Sequence, residues 1–393
     1  MKRIYYIVLC LWGIVTLVNC KQTFEPSLPG TETGYLVVEG IINSGNEVTV
    51  ITLSRTVPLD KKQVLKAEGG AILTVESSTG VFYNFVESKP GTYTGGPYNL
   101  PATATYRLNI KTTNGKTYQS AFVAVKHTPP IDNIEWERTI NGLTLNVSAH
   151  DPANNTRYYR WDFEETWRYN ADVQSIFEST GTKIILRTTP IYTCYKTTTS
   201  TNILLTSTVK LTDDVVNKFV LTSIPNRSEK ISDKYSINVK QYALTKEGYE
   251  FWENQRKNTE QLGTIFDAQP SELAGNIRCL QNAEEPVVGF VSVSTEAQKR
   301  IFLTYNEVNW GPMPFSSCVL DTIAEKNPGD IAFFLHFPPG GTPRKIPVRM
   351  VDPNEIHPAP SPGDPPVYLA VDPPCADCRL KGGTTTVPSF WQQ

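Results

Sequence analysis

The sequence predicts a mostly β protein built from two tandem β-sandwiches of the immunoglobulin or fibronectin III type. The second sandwich carries a helical insertion, and an irregular, Pro-rich, disulfide-stapled C-terminal tail follows it. Three observations predict this fold class. The 393 residues include 29 Pro, 25 Gly and 18 Tyr, which is typical of short strands joined by turns. Alternating apolar and polar runs recur at short intervals from residue 35, and a helical period occurs near 246–262.

The N-terminus has the pattern of an export signal. Two basic residues precede an uncharged apolar run at 4–18, and "LVNC" ends at Cys20. A run of 15 residues is short for a bilayer crossing but typical of a signal peptide, which we predict at 1–19. The motif resembles a bacterial lipobox, although Asn19 replaces the usual small residue, and it predicts that Cys20 carries lipid. An ordinary secreted protein and an uncleaved signal anchor are the alternatives.

Charge and length limit the function classes. Loss of residues 1–19 leaves 374 residues and changes the side-chain charge from -2 to about -4, because Lys2 and Arg3 are removed. This length allows two or three domains. The chain has no basic stripe that would neutralise phosphates, so nucleic acid is not a predicted partner.

The first sandwich is predicted at 35–126, after a tether at 20–34 that contains Pro and Gly. Order begins with "YLVVEGIIN", and four further strand-like segments follow. The last of these contains Asn114 and Gly115 between two alternating runs, a strong hairpin signal.

The second sandwich is predicted at 127–310, because Pro129 and Pro130 interrupt the strand pattern. In "RYYRWDFEETW" the aromatic residues alternate with charged residues, which places the aromatics on one face of a strand. Trp161 is expected to fill the core of this sandwich. Thr245 is the predicted N-cap of the inserted helix, which is expected to end at Gly263.

The tail at 311–393 is predicted to be irregular, because 12 of the 37 residues from Pro338 to Pro374 are proline. Cysteines are expected to hold it. The CxxC pair has no second pair for zinc and follows two prolines instead of starting a redox helix, so disulfides are favoured over metal or redox chemistry. Apart from Cys10 and Cys20, the candidates are Cys194, Cys279, Cys318, Cys375 and Cys378. The preferred pairs join Cys318 to the CxxC motif, with Cys378 as the favoured partner there, and Cys194 to Cys279, although spacing does not decide the connectivity.

Catalytic signatures are weak. Asp162, Glu164 and Glu165 lie beside two tryptophans, which suggests a sugar cleft with an acid and a base, but carboxylates are also expected on the polar face of a strand. The sequence has no GxSxG or HExxH motif, and no metal or other cofactor is predicted. The candidate ligand or partner surface comprises Trp161, Glu165, Trp167 and Trp252.

Several segments together resemble a known family. The ordered set is "YLVVEGIIN", "VTVITLSRT", "YRLNIKTTNGKTYQS", "YYRWDFEETW", "YALTKEGYEFW", "GNI", "EEPVVGFVSVS" and "CADCRLKGG". It is similar to the Bacteroidota lipoproteins grouped as domain of unknown function 4249, from about Tyr35 to Trp391. The resemblance implies an outer-membrane lipoprotein, commonly encoded beside a TonB-dependent receptor, and it supplies no catalytic residues.

The expected function is therefore non-catalytic. We expect a protein anchored to the outer membrane, at the cell surface rather than the periplasmic face, that captures a ligand for a TonB-dependent receptor or assists it otherwise. A surface adhesive or structural protein and an unrecognised hydrolase are the alternatives.

Overall fold

A computed structural model describes residues 34–57, 66–180, 183–260, 275–309, 317–324, 344–352 and 364–391. The predicted signal peptide, Cys20 and nearly all of the tether lie outside these residues. The described chain is mostly β, as the sequence predicts, with 25 strands and a few short helices. Within it, every helix is too short or too polar to cross a membrane.

Two six-stranded sheets enclose the core of the first sandwich. Sheet 1 has the order β21-β1-β2-β7-β6, with β3 on β2, and sheet 2 has the order β20-β9-β8-β4-β5, with β10 on β8. Their strands are β1 (Leu36–Asn43), β2 (Thr49–Arg55), β3 (Lys66–Ala67), β4 (Ile72–Ser77), β5 (Phe82–Asn84), β6 (Val86–Lys89), β7 (Thr92–Gly95), β8 (Thr105–Lys111), β9 (Thr117–Ser120), β10 (Val123–Ala124), β20 (Ile277–Cys279) and β21 (Ser292–Ser294). β8 and β9 form the predicted hairpin, with Gly115 at φ 85° in its turn.

The first sandwich takes strands from far along the chain, which the predicted boundary at residue 126 does not allow for. β20 pairs with β9, and β21 pairs in parallel with β1. Ile277 and Val293 are buried in the same core as Leu36 and Tyr118. The chain therefore leaves the first sandwich, forms most of the second, and returns to complete the first.

The second sandwich consists of sheet 3, with the order β11-β12-β18, and sheet 4, with the order β16-β13-β19-β22 and β17 on β13. The strands are β11 (Ile131–Thr139), β12 (Gly142–His150), β13 (Tyr158–Asn170), β16 (Thr193–Thr199), β17 (Leu204–Ser207), β18 (Val215–Pro225), β19 (Lys234–Ala243) and β22 (Glu296–Thr304). Trp161 is fully buried in the core between these sheets, as predicted. β14 (Phe177–Ser179) and β15 (Ile184–Leu186) form a separate hairpin.

The inserted helix α1 (Lys246–Glu260) confirms the predicted helical period. Thr245 Oγ1 accepts the Gly248 N–H at 3.2 Å, as expected of an N-cap residue. Phe251 packs on Phe290, with ring centroids 5.5 Å apart. The predicted end at Gly263 lies outside the described residues.

The tail contains a small sheet that its proline content did not predict. The order is β23-β25-β24, formed by β23 (Asp321–Ala324), β24 (Ile346–Met350) and β25 (Val367–Val371). Pro347 is tolerated because β24 is an edge strand, whose register shifts at this position. Trp391, near the end of the chain, packs against Tyr195 and Phe302 on sheet 4.

One disulfide attaches the tail to the second sandwich and a second links two segments of the tail. The predicted link from Cys318 to the CxxC motif is confirmed, but the choice of Cys378 within that motif and the pair of Cys194 with Cys279 are wrong. Cys194 is bonded to Cys378, and Cys318 is bonded to Cys375. Cys279 is buried and free. Because β20 carries Cys279 into the first sandwich while Cys194 lies on β16 in the second, these two cysteines occupy different cores and do not meet.

A hydrogen-bonded joint connects the two sandwiches. Thr128 accepts the Ala243 N–H and donates to the Thr295 carbonyl, and its own N–H donates to Thr295 Oγ1. Gln241 donates to the Pro129 carbonyl and accepts the Trp161 indole N–H, each at 2.8 Å. These hydrogen bonds link the chain at 128–129, at 241–243 and at Thr295, where it passes between the two sandwiches.

Candidate functional site

A cleft of about 540 Å³ lies between the sandwiches beside this joint. This volume is within the range of about 300 to 1,000 Å³ typical of ligand pockets. Three walls form it: the outer face of sheet 1, the outer face of sheet 4, and α1 with the loop at 200–203.

The wall from sheet 4 is charged, and its charges are paired. Arg160 binds Asp162 at 3.1 Å, and Lys240 binds Glu296 at 3.1 Å. Tyr242 donates to Glu296 at 2.9 Å. Burial, with the neighbouring Glu296 carboxylate adding to it, raises the pKa of Tyr242 well above its ordinary value. This wall therefore presents a fixed pattern of charges.

The wall from α1 joins an aromatic ring to this pattern. The Arg160 guanidinium lies over the Trp252 ring, 3.9 Å from its centroid. Such a contact favours a cation over the indole face. Trp252 Nε1 and Arg160 Nε are buried and have no hydrogen-bond partner among the described residues. At the C-terminal end of α1, Thr259 also lines the cleft, and the Glu260 carboxylate accepts the Ile203 N–H at 2.7 Å.

The wall from sheet 1 is largely apolar. Val48 and Val50 are 51% and 46% exposed, and Ile41 of β1 lines the cleft with them. Glu39 stands on the same strand two residues before Ile41 and is exposed. The cleft thus has an aliphatic wall facing a charged wall.

Three of the four residues predicted to form a ligand or partner surface are buried. Trp161, Glu165 and Trp167 are 0%, 5% and 4% exposed, because the alternation along β13 turns all three towards the core. The prediction was therefore wrong for these residues. Trp252 does line the cleft.

The three carboxylates considered for hydrolysis lie on two different faces of β13. Asp162 and Glu164 lie on the outer face of β13, and Glu164 is 3.3 Å from Arg300. Glu165 points to the opposite face, where it binds Lys230 at 2.5 Å and accepts the Tyr235 hydroxyl at 2.8 Å. The burial of Tyr235, together with that carboxylate, raises the pKa of its hydroxyl. Glu165 therefore cannot act with either of the other two carboxylates on one glycosidic bond. Asp162 and Glu164 share the outer face, where each is paired with an arginine, Arg160 and Arg300 respectively.

A second cluster lies at the tail. The side chains of Asp172, Cys318 and Cys375 lie within 4.8 Å of one another. Because Cys318 and Cys375 share a disulfide, neither sulfur is a thiolate that could bind a metal.

Sequence reasoning missed most of the cleft. Its aliphatic wall comes from β1 and β2, whereas its charged wall comes from strands more than 100 residues away. The only signal in the sequence is that Val50 on β2, and Val48 one residue before this strand, face outward although the inward side of the strand is also apolar.

Two comparisons with known proteins bear on identity. The sequence model of a family described as "Domain of unknown function (DUF4249)" matches residues 21–300. A search of curated proteins found no significant match.

Proposed function

Since the matched segment covers well over half of the chain, the protein belongs to this family of unknown function, and we propose that it is a non-catalytic outer-membrane lipoprotein. Cys20 anchors it at the cell surface, and the folded part captures a ligand for a TonB-dependent receptor.

The cleft between the sandwiches is the observation that supports ligand capture. It has the size of a ligand pocket, and the hydrogen bonds of Thr128, Gln241 and Thr295 hold its two main walls in place. A preformed site loses little conformational entropy when a ligand binds. The lipobox-like motif at 17–20 and the family resemblance support the anchor and the receptor.

Affinity purification tests the receptor half of the proposal. The tagged full chain is purified from native membranes in a mild non-ionic detergent, and we expect a TonB-dependent barrel to be recovered with it. Recovery of no outer-membrane barrel would contradict the proposal.

A Cys20→Ser variant tests the anchor. We expect the wild type to partition into the detergent phase and to carry a lipid mass, and the variant to lose both. Cys279→Ser serves as the matched control, because it removes a thiol that is not at the lipobox. If the Cys20 variant kept the lipid mass, the anchor assignment would be wrong.

A further inference from the structure

The charges of the cleft do not balance. Four carboxylates line it, those of Glu39, Asp162, Glu260 and Glu296, against two cations, Arg160 and Lys240. Both cations are already paired, with Asp162 and Glu296. Within the described part of the chain, no cation contacts the carboxylate of Glu39 or Glu260. The cleft therefore has two carboxylates available for a cationic ligand.

The aliphatic wall adds a second requirement. Val48 and Val50 are about half exposed although they are β-branched apolar residues on an ordered sheet. Covering such side chains contributes about 25 cal/mol for each Å² removed from water. A ligand that meets both walls must therefore present apolar groups on one side and positive charge elsewhere.

Simple ligand classes meet only part of this requirement. An anion would meet a cleft with a net charge of about -2. A wholly apolar molecule would remove water from charged groups without replacing their hydration. A neutral saccharide would leave Glu39 and Glu260 uncompensated.

From the facing walls we infer that the cleft binds an extended peptide segment that carries aliphatic side chains on one side and Lys or Arg on the other. In an extended chain successive side chains point to opposite sides, so the aliphatic side chains of one segment can cover Val48 and Val50 while its basic side chains face Glu260 on α1. Glu39 lies on the sheet 1 wall and adds negative charge to the same cleft. This inference rests on the proposed ligand-capture function and names the class of ligand for the same site.

Calorimetric titration of the full chain in a non-ionic detergent tests the inference. The probes are a capped heptapeptide of alternating lysine and valine, the same peptide with glutamate for lysine, and maltohexaose. We expect the basic peptide to bind at least ten-fold more tightly than the acidic peptide, with an affinity that falls as salt is added.

Variants assign the binding to the cleft. Combined Glu39→Gln and Glu260→Gln should weaken binding of the basic peptide at least ten-fold, and Val48→Ser with Val50→Ser should also weaken it. Glu250→Gln is the matched control, because it removes one carboxylate from an exposed position of the same helix. Unchanged circular dichroism would show that the variants fold.

Three outcomes would overturn the inference: equal or tighter binding of the acidic peptide or the saccharide, no binding of the basic peptide, or binding that the Glu39 and Glu260 variants leave unchanged. If the affinity purification recovered a receptor but no peptide bound, the peptide inference would be wrong and the proposed function would stand. Peptide binding without a receptor would support the site and contradict the receptor half of the proposed function.

Discussion

We expect the double substitution Cys194→Ala with Cys378→Ala, which removes the Cys194–Cys378 bridge, to destabilise the protein more than removal of the other disulfide. The bridge closes a sequence separation of 184 residues, and both cysteines are fully buried. In the chain-entropy model such a loop contributes about 5 kcal/mol, because the crosslink reduces the freedom of the unfolded chain. The Cys318–Cys375 loop lies inside it, but even the shortened loop of about 130 residues keeps the contribution near 5 kcal/mol.

The second bridge provides a comparison. Cys318 and Cys375 are 57 residues apart, which corresponds to about 4 kcal/mol. Cys279→Ala controls for the loss of a buried sulfur without a bridge, and we expect it to cost about 1 kcal/mol. Urea unfolding, monitored by circular dichroism, measures the loss of unfolding free energy for the removal of each bridge and for Cys279→Ala.

Peptide mapping under non-reducing conditions checks the connectivity itself. A protease that cleaves before aspartate separates Cys375 from Cys378, because Asp377 lies between them. We expect the Cys194 peptide linked to the Cys378 peptide. A link from Cys194 to Cys279, or a double variant as stable as the wild type, would refute the reasoning.

Three further predictions concern other parts of the fold. Trp161→Phe removes the indole N–H that binds a buried amide oxygen, and urea unfolding should show a loss of about 1 to 3 kcal/mol; no loss would mean that this hydrogen bond does not contribute. The hydrogen bond to Asp132 raises the pKa of His150 above its ordinary value of 6.5. The stabilisation from this pair should therefore be complete below the unfolded pKa and be lost as pH rises through the folded pKa. An NMR titration of the imidazole checks this, because Asp132→Asn should lower the pKa of His150 towards its ordinary value, and an unshifted wild-type titration would contradict it. Gly289→Ala should be several-fold more destabilising than Gly80→Ala, since both have positive φ but only at Gly289 would the added Cβ lie 2.2 Å from a backbone carbonyl; equal unfolding free energies would contradict this.

The sequence predicted the structural features that follow from the periodic pattern of apolar residues within a single strand or helix. Alternation along β13 placed Trp161 in the core and Arg160, Asp162 and Glu164 on the outer face, and the structure confirms both. The period after Thr245 predicted α1. These predictions succeed because neighbouring residues fix which face of an element is buried.

Features that depend on distant residues were not predicted. β20 and β21 have three residues each, too few to show a period. Cys375 and Cys378 lie three positions apart in the same motif, so the sequence does not distinguish them as disulfide partners. Their positions in the folded structure decide which cysteine each one bonds to. The cleft was missed for a related reason, since outward charges on β13 are expected on any solvated strand, and the facing wall belongs to the other sandwich.

The return of the chain to the first sandwich constrains the order in which the protein can be completed. A chain that emerges N-terminus first has made most of the first sandwich by residue 126, yet β1 and β9 remain open edges until β20 and β21 follow. Open edges are templates for wrong pairing. The edges of this half must therefore stay protected until residue 294 has been made, when the second sandwich is also nearly complete. The two halves then reach their native state together.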